Sequence, residues 1–224
     1  MAHPVVIFGA ERMSQLLRFY LDHDSEHRVA AFTVDGEYIR SKELQGLPLV
    51  PFEEVGKRYP PDKFQMLIAV GYRNLNRLRA DKFAEAKSKG YSLISYVSSK
   101  STCWETSRLG ENCIVLENNL IQPGASVGDN VVLWSFNHVG RDAVIHDHCY
   151  VSSHAAINGE VTIGPSCFIG SNTTFRDGVT VGAECIIGAG AVIMRDTRER
   201  EVYVSEPTAL YRLDSNTFLR MSGI

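Results

Sequence analysis

Candidate proton carriers cluster in one stretch of the chain. The segment Asn137-His138-Val139-Gly140-Arg141-Asp142-Ala143-Val144-Ile145 holds one histidine, and His154 follows. A histidine ring accepts a proton near neutral pH, so His138 and His154 are candidate general bases. Arg141 is not one, because a guanidinium has no acceptor lone pair and stays charged at any ordinary pH. It suits instead the grip of a phosphate or of a substrate oxygen. Nearer the N-terminus, the turn Gly9-Ala10-Glu11-Arg12 opens a helical stretch whose N-terminal end would face a phosphate. One glycine does not make G-x-G-x-x-G, so a mononucleotide fits this turn better than NAD. Asp35 and Gly36 follow a second apolar run, where a carboxylate can bond a ribose or a base. Gly71, Tyr72, Arg73 and Asn74 follow a later one. Each of these positions is also an ordinary turn or cap.

Composition narrows the partners. The chain has 224 residues and a net charge of −3 with the signs interspersed, so no basic stripe points to nucleic acid. No apolar run approaches the roughly 20 residues that span a bilayer, so no membrane partner is expected. The N-terminus has no basic n-region and reads as a first strand rather than a signal peptide, which predicts a cytoplasmic protein. Five cysteines, none in C-x-x-C spacing, argue against a disulfide framework and a zinc site, and no metal is expected.

Two patterns must position these residues. Residues 1–98 alternate apolar runs with helical stretches. The strands are 5–10, 29–34, 64–71 and 92–97, and the helices 11–23, 52–59 and 74–90. This predicts a small parallel sheet with helices, about half a dinucleotide-binding fold. Residues 99–197 read in sixes. Starting at Leu109 and stepping to Val115, Ile121, Val127 and on to Ile193, fifteen positions are all large and apolar. Chance gives this about once in ten million if a third of residues are of that type. Four residues after each lies a mostly small residue, from Cys113 and Asn119 to Ala191 and Thr197. One large and one small inward position per hexad fit a short strand and a corner. Three such units close a triangular coil, and coils stack about 4.8 Å apart. Eighteen residues then separate vertical neighbours, which puts Gly159 one coil above Arg141. Cys149, Cys167 and Cys185 share a column and read as small core residues. Gly110, Gly128, Gly140, Gly164, Gly170, Gly182 and Gly188 follow large positions, where glycine lets backbones pass closely. Residues 198–224 form a tail.

Hexads such as VTIGPSCFIG and VTVGAECIIGAGAVI resemble the hexapeptide-repeat acyltransferases. With the α/β domain in front, the chain resembles the sugar acyltransferases that include sialic-acid O-acetyltransferase-like proteins and N-acetyltransferases of nucleotide-linked amino-deoxysugars. The resemblance implies a left-handed parallel β-helix, a homotrimer with sites between neighbouring β-helices, and acetyl-CoA or another short acyl-CoA as co-substrate. It implies a nucleotide-linked amino sugar held through Gly9, Asp35, Gly36, Gly71, Asn74 and Asn137. It places a thioester-polarising N–H at Gly159, and the pantetheine arm along Gly170, Ser171, Gly188, Ala189 and Gly190. Arg195 and the segment SEPTALYR (205–212) resemble the family's ending near the CoA adenine, with Ser205 where the family has glycine. The family's base is a histidine where this chain has Arg141. Three readings follow. His138 or His154 takes the proton, or the departing thiolate collects it, or the protein only binds. The missing base favours N-acylation, since a sugar hydroxyl depends more on a base than an amine does. The leading expectation is N-acylation of a nucleotide-linked 4-amino-deoxysugar in surface-polysaccharide biosynthesis. Sugar O-acetylation and a non-catalytic sugar-nucleotide binder are the alternatives.

Overall fold

A computed structural model describes residues 4–223. Five strands and three helices precede the repeats. They are β1 (Val5–Phe8), α1 (Arg12–Asp24), β2 (Val29–Val34), β3 (Glu43–Leu44), β4 (Leu47–Pro51), α2 (Val55–Arg58), β5 (Gln65–Ile68) and α3 (Arg77–Ser88). The sheet order is β3-β4-β2-β1-β5, parallel except for β3. Strands β1, β2 and β5 are nearly continuous apolar runs, because both sheet faces are covered. Strands β3 and β4 carry no clear alternation and were not visible in the hydrophobic pattern. Two expectations shift. The third helix starts at Arg77, not Asn74, because Asn74, Leu75 and Asn76 all take positive φ, from +50° to +63°. The stretch 92–97 divides: Leu93 bridges to Met66 of β5, whereas Tyr96–Val97 starts the next domain.

From Tyr96 the chain winds through stacked three-sided coils. The first face holds seven strands, from Tyr96–Val97 to Val202–Tyr203. The second holds six, from Thr102–Cys103 to Val192–Ile193, and the third five, from Arg108–Leu109 to Thr180–Val181. Pairing is parallel with an eighteen-residue offset, as in Leu120↔His138 and His138↔Ala156. The two inward columns form one core, with the partly buried Cys103 and Leu109 packed against it at one end and Tyr203 at the other. The thiols of Cys149, Cys167 and Cys185 lie 3.0–3.1 Å from carbonyl oxygens of neighbouring turns. Every sixth residue from Asn112 to Gly190 has φ between +54° and +78°, and this turns each corner. Asn, Asp and Gly fill much of this ladder because they tolerate the left-handed region. The glycines after the large positions serve another need. A Cβ on Gly140 would lie 2.5 Å from the Asn158 carbonyl carbon, and one on Gly170 would lie 2.5 Å from Ala189 N.

The α/β domain sits on the first face for a reason that recurs every eighteen residues. The outward residue of that face is Tyr96, Ile114, Val132, Tyr150, Phe168 and then Ile186. The first four are buried in a core shared with Leu17, Leu21 and Phe32, and Phe168 packs against it. Polar clasps fix the junction. Ile68 N donates to Asn112 Oδ1 at 2.8 Å, and Asn112 Nδ2 donates to Asn130 Oδ1 at 2.8 Å. Fully buried Arg79 donates to Cys149 O at 2.9 Å, and Asn76 Nδ2 donates to Cys167 O at 3.1 Å. Asp24, at the end of α1, accepts from Tyr96 Oη at 2.7 Å, Ser98 Oγ at 3.0 Å and Ser99 N at 2.9 Å.

Two predictions follow from these contacts. Gly140→Ala should lower unfolding free energy by about 2–4 kcal/mol, because the new Cβ meets backbone that cannot yield. Gly178→Asn, at φ +71° in open space, should change it by less than about 1 kcal/mol; urea titration compares the two. The donors on Asp24, led by Ser99, hold its carboxyl far below the usual range. A depressed carboxylate stabilises above the pKa of the unfolded chain, near 4, and that stability drains away as the pH falls. The stability gap between parent and Asp24→Asn should therefore be widest near pH 7 and narrow steadily below about pH 4. A gap independent of pH would rule this clasp out.

Candidate active site

A cavity of about 570 Å³ opens where the carboxyl edge of the α/β sheet meets the first face of the β-helix. Glu11 lines it from the turn after β1 and Arg12 from the start of α1, Gly71 and Arg73 from the turn after β5, and Trp134 and Tyr150 from the β-helix. Gly9 makes the first turn possible. Its φ is +133°, and a Cβ there would lie 2.7 Å from Ala69 O. Helix α1 begins without a side-chain cap, so its first N–H groups take no side-chain partner from Glu11. Arg73 Nη2 lies 3.2 Å from Glu11 Oε1 in an exposed pair, which holds the group only loosely. Arg12 makes no such pair among the described residues. Two guanidinium groups, a helix N-terminus and two aromatic rings suit an anionic group joined to a flat or apolar ring.

The other sequence-predicted contacts of the α/β domain stand differently. Asp35 and Gly36 lie outside the cavity lining. Lys82 Nζ bonds Asp35 Oδ1 at 2.5 Å and Glu85 Oε2 at 2.9 Å, and Gly36 N donates to Glu53. Burial pulls the Lys82 ammonium down, but the two carboxylates outweigh it and hold its pKa above the ordinary value. Asn74 is exposed in the left-handed turn that precedes α3. Asn137 points into the β-helix, where Nδ2 donates to Trp134 O at 2.6 Å and Oδ1 accepts from Ala155 N at 2.8 Å.

The β-helix residues divide between two edges of the prism. At the edge joining the second and third faces, Arg141 pairs with Asp142, and its Nη2 lies 2.8 Å from Glu160 Oε1. Arg141 N donates to Gln122 Oε1 at 2.9 Å. Glu160, then Asp142, raises the guanidinium pKa further, so Arg141 stays a cation. Gly159 N donates to Asp177 Oδ1 at 2.9 Å, so a thioester oxygen would have to displace that carboxylate. Arg195 is exposed on the same edge two coils higher. At the edge joining the first and second faces, exposed His154 lies above Phe136, with ring centroids 4.9 Å apart and planes 4° apart. Above them come Gly170 and Ser171, then Gly188, Ala189 and Gly190. His138 lies on the second face between the two edges, half-buried, with Leu120 below and Ala156 above. One chain therefore brings the cavity, His154 and the small-residue strip to one edge, and Arg141, Gly159 and Arg195 to another. Among the described residues no cluster of His, Cys, Asp or Glu is arranged to hold a metal, and no helix is long and apolar enough to cross a membrane.

Trp134 and Tyr150 were missed as cavity residues. Tyr150 had a signal in the eighteen-residue period, since it belongs to the apolar outward column that recruits the α/β domain; Trp134 lies two residues past that column's Val132.

The repeat and the fold now define a class. Residues 124–159 and 160–195 match the model of the bacterial transferase hexapeptide (six repeats). No curated protein matches the chain. Among solved structures, a His-to-Asn variant of perosamine N-acetyltransferase from Caulobacter crescentus, in complex with CoA and GDP-perosamine, superposes with a TM-score of 0.80. It is 25% identical over 90% of this chain and 93% of that one. The acetyltransferase domain of PglB from Neisseria gonorrhoeae, in complex with acetyl coenzyme A, gives 0.78 at 20% identity over 90% and 96%. WeeI from Acinetobacter baumannii gives 0.74 at 18% identity over 88% and 94%. Residues 124–195 thus carry the bacterial transferase hexapeptide repeat, and the chain shares its fold, an N-terminal α/β region followed by a stacked parallel β-helix, with these acetyltransferase structures.

Proposed function

We propose that this protein is an acyl-CoA-dependent N-acyltransferase that acetylates the amino group of a nucleotide-linked amino-deoxysugar. The observation that carries this is the likeness, over nine-tenths of the chain, to an enzyme solved with both CoA and GDP-perosamine. The cavity supports it. Arg12, Arg73 and the start of α1 suit a diphosphate, and Trp134 and Tyr150 offer flat faces to a ring. Gly170, Ser171, Gly188, Ala189 and Gly190 form a strip on which the thin pantetheine arm can lie close to the backbone. No metal takes part in the reading.

The division of the site between two edges favours a homotrimer. In a three-fold assembly, one copy's edge bearing Arg141, Gly159 and Arg195 faces the next copy's edge bearing the cavity and His154. Arg141 then holds substrate oxygen, and the proton acceptor is one of the two histidines, His138 or His154. Cytoplasmic supply of CoA and nucleotide sugars places the enzyme there, in a pathway that builds surface polysaccharide.

The test is release of free thiol from acetyl-CoA with a panel of dTDP-, UDP- and GDP-linked amino sugars. Turnover with an amine acceptor is expected. Release only with hydroxyl sugars would assign O-acetylation, and no acyl-CoA binding by calorimetry would leave a binding protein. His138→Asn and His154→Asn, made separately, locate the acceptor by a loss in kcat of about 10²-fold or more in one of them.

A further inference from the structure

The corner ladder contains one residue that does not suit it. From Asn112 to Gly190 the left-handed positions are filled by Asn, Gly, Asp, His, Glu and Ser, except at Phe136. Phe136 sits at φ +68° with its side chain 53% exposed. A bulky side chain gains nothing from that backbone region, and here it gains little from burial. What it does contact is His154, one coil above, in a near-parallel stack. The coil spacing is fixed at this point by backbone bonds, from Phe136 N to Glu117 O at 3.1 Å and from His154 N to Ser135 O at 3.3 Å. The stack therefore sets the imidazole plane rather than the backbone. A residue kept in a strained conformation against local preference marks a functional site more often than a packing need.

Its position says which function. Trp134, two residues before Phe136, lines the cavity, and Gly170 and Ser171 start the small-residue strip one coil above His154. From Ser152 to Gly190 the other side chains of this edge are serine, asparagine, threonine and alanine, none of which takes a proton at neutral pH. The carboxylate on this edge below Phe136, Glu117, accepts from Tyr20 Oη and from Ser135 Oγ at 2.9 Å. Arg141 has no acceptor to offer.

We propose that His154 is the proton acceptor of acyl transfer and that Phe136 is its positioning residue, holding the imidazole edge toward the groove. The neutral sugar amine attacks the thioester carbonyl carbon, and the new C–N bond forms. The C–S bond then breaks, and its electron pair leaves on the CoA sulfur. The proton lost by the amine nitrogen passes to the free imidazole nitrogen of His154 and from there to the thiolate. The products are the amide and CoA thiol. This assignment rests on the acyltransferase reading above and deepens it by choosing between the two histidines.

Phe136→Asn tests it, because Asn suits the ladder, as Asn112, Asn118, Asn130 and Asn172 attest. A side chain that merely packs would lower the melting temperature when removed. A side chain that costs stability for the sake of the histidine does the opposite. The expected result is a melting temperature equal to the parent's or higher by roughly 2–4 °C, with kcat lower by about 10-fold or more and KM for acetyl-CoA little changed. Phe136→Tyr keeps the stack and should stay within about 3-fold of the parent. In the NMR spectrum, the ring-current shift of the His154 Cε1 proton should disappear in Phe136→Asn and persist in Phe136→Tyr. His154→Asn should lose about 10²-fold in kcat. Full kcat in Phe136→Asn, or in His154→Asn, overturns the assignment. A parent protein inactive with every acceptor overturns the acyltransferase reading instead, and the ring-current shift still reports the stack in that case.

Discussion

A β-helix coil closes only if each corner turns through a residue with positive φ, and this chain meets that demand at every sixth residue from Asn112 to Gly190. The parallel bonds between coils, the two inward columns and the alignment of side chains along each edge all depend on it. The close passage of neighbouring coils adds a second demand, met by glycine at positions such as Gly140 and Gly170. With both met, the backbone becomes a ruler with an eighteen-residue period. Side chains that must cooperate need only be placed at the right multiple along it.

The chain uses the ruler twice. The outward column Tyr96, Ile114, Val132, Tyr150 and Phe168 is an apolar strip on which the α/β domain lies. The Asn112, Asn130, Arg79 and Asp24 bonds then fix its seat. That seating creates the cavity, because the turns after β1 and β5 end beside Trp134 and Tyr150. On the adjoining edge the same period stacks His154 on Phe136 and sets the small residues above them. The fold thus sets the cavity, the His154 imidazole and the strip of small residues in vertical order.

Much of the fold was legible in the sequence. The hexads marked the inward residues from Leu109 to Thr197, and the glycines after large positions serve the close approach expected of them. The β-α-β order was equally open, because buried parallel strands are nearly pure apolar runs. What escaped had physical causes. Strand β3, two residues long, lies at the sheet edge with β4 beside it, and neither is long or alternating enough to show in the hydrophobic pattern. The start of α3 slipped because Asn74, Leu75 and Asn76 turn left-handed for a clasp to Cys167 that no local propensity records. The site was less legible than the fold. The hexad register already turned Asn137 inward, against its expected contact with substrate, whereas no spacing records that Lys82 engages Asp35. The eighteen-residue period did separate Arg141 from His154, since residues thirteen apart fall on different edges of a triangular coil. Tyr150 was readable only by asking what the outward column of one face was for, and Trp134 lies outside that column.

The central claim is that the acceptor sugar, His154 and the pantetheine arm meet along one edge of the β-helix. A crystal structure of the protein with CoA and a GDP-linked amino sugar tests this most directly. The account predicts the diphosphate between Arg12 and Arg73, the pantetheine along Gly170 to Gly190, and an imidazole nitrogen of His154 within about 3.2 Å of the sugar amine. A sugar amine bound out of reach of His154, or CoA lying away from Gly170 to Gly190, would contradict it.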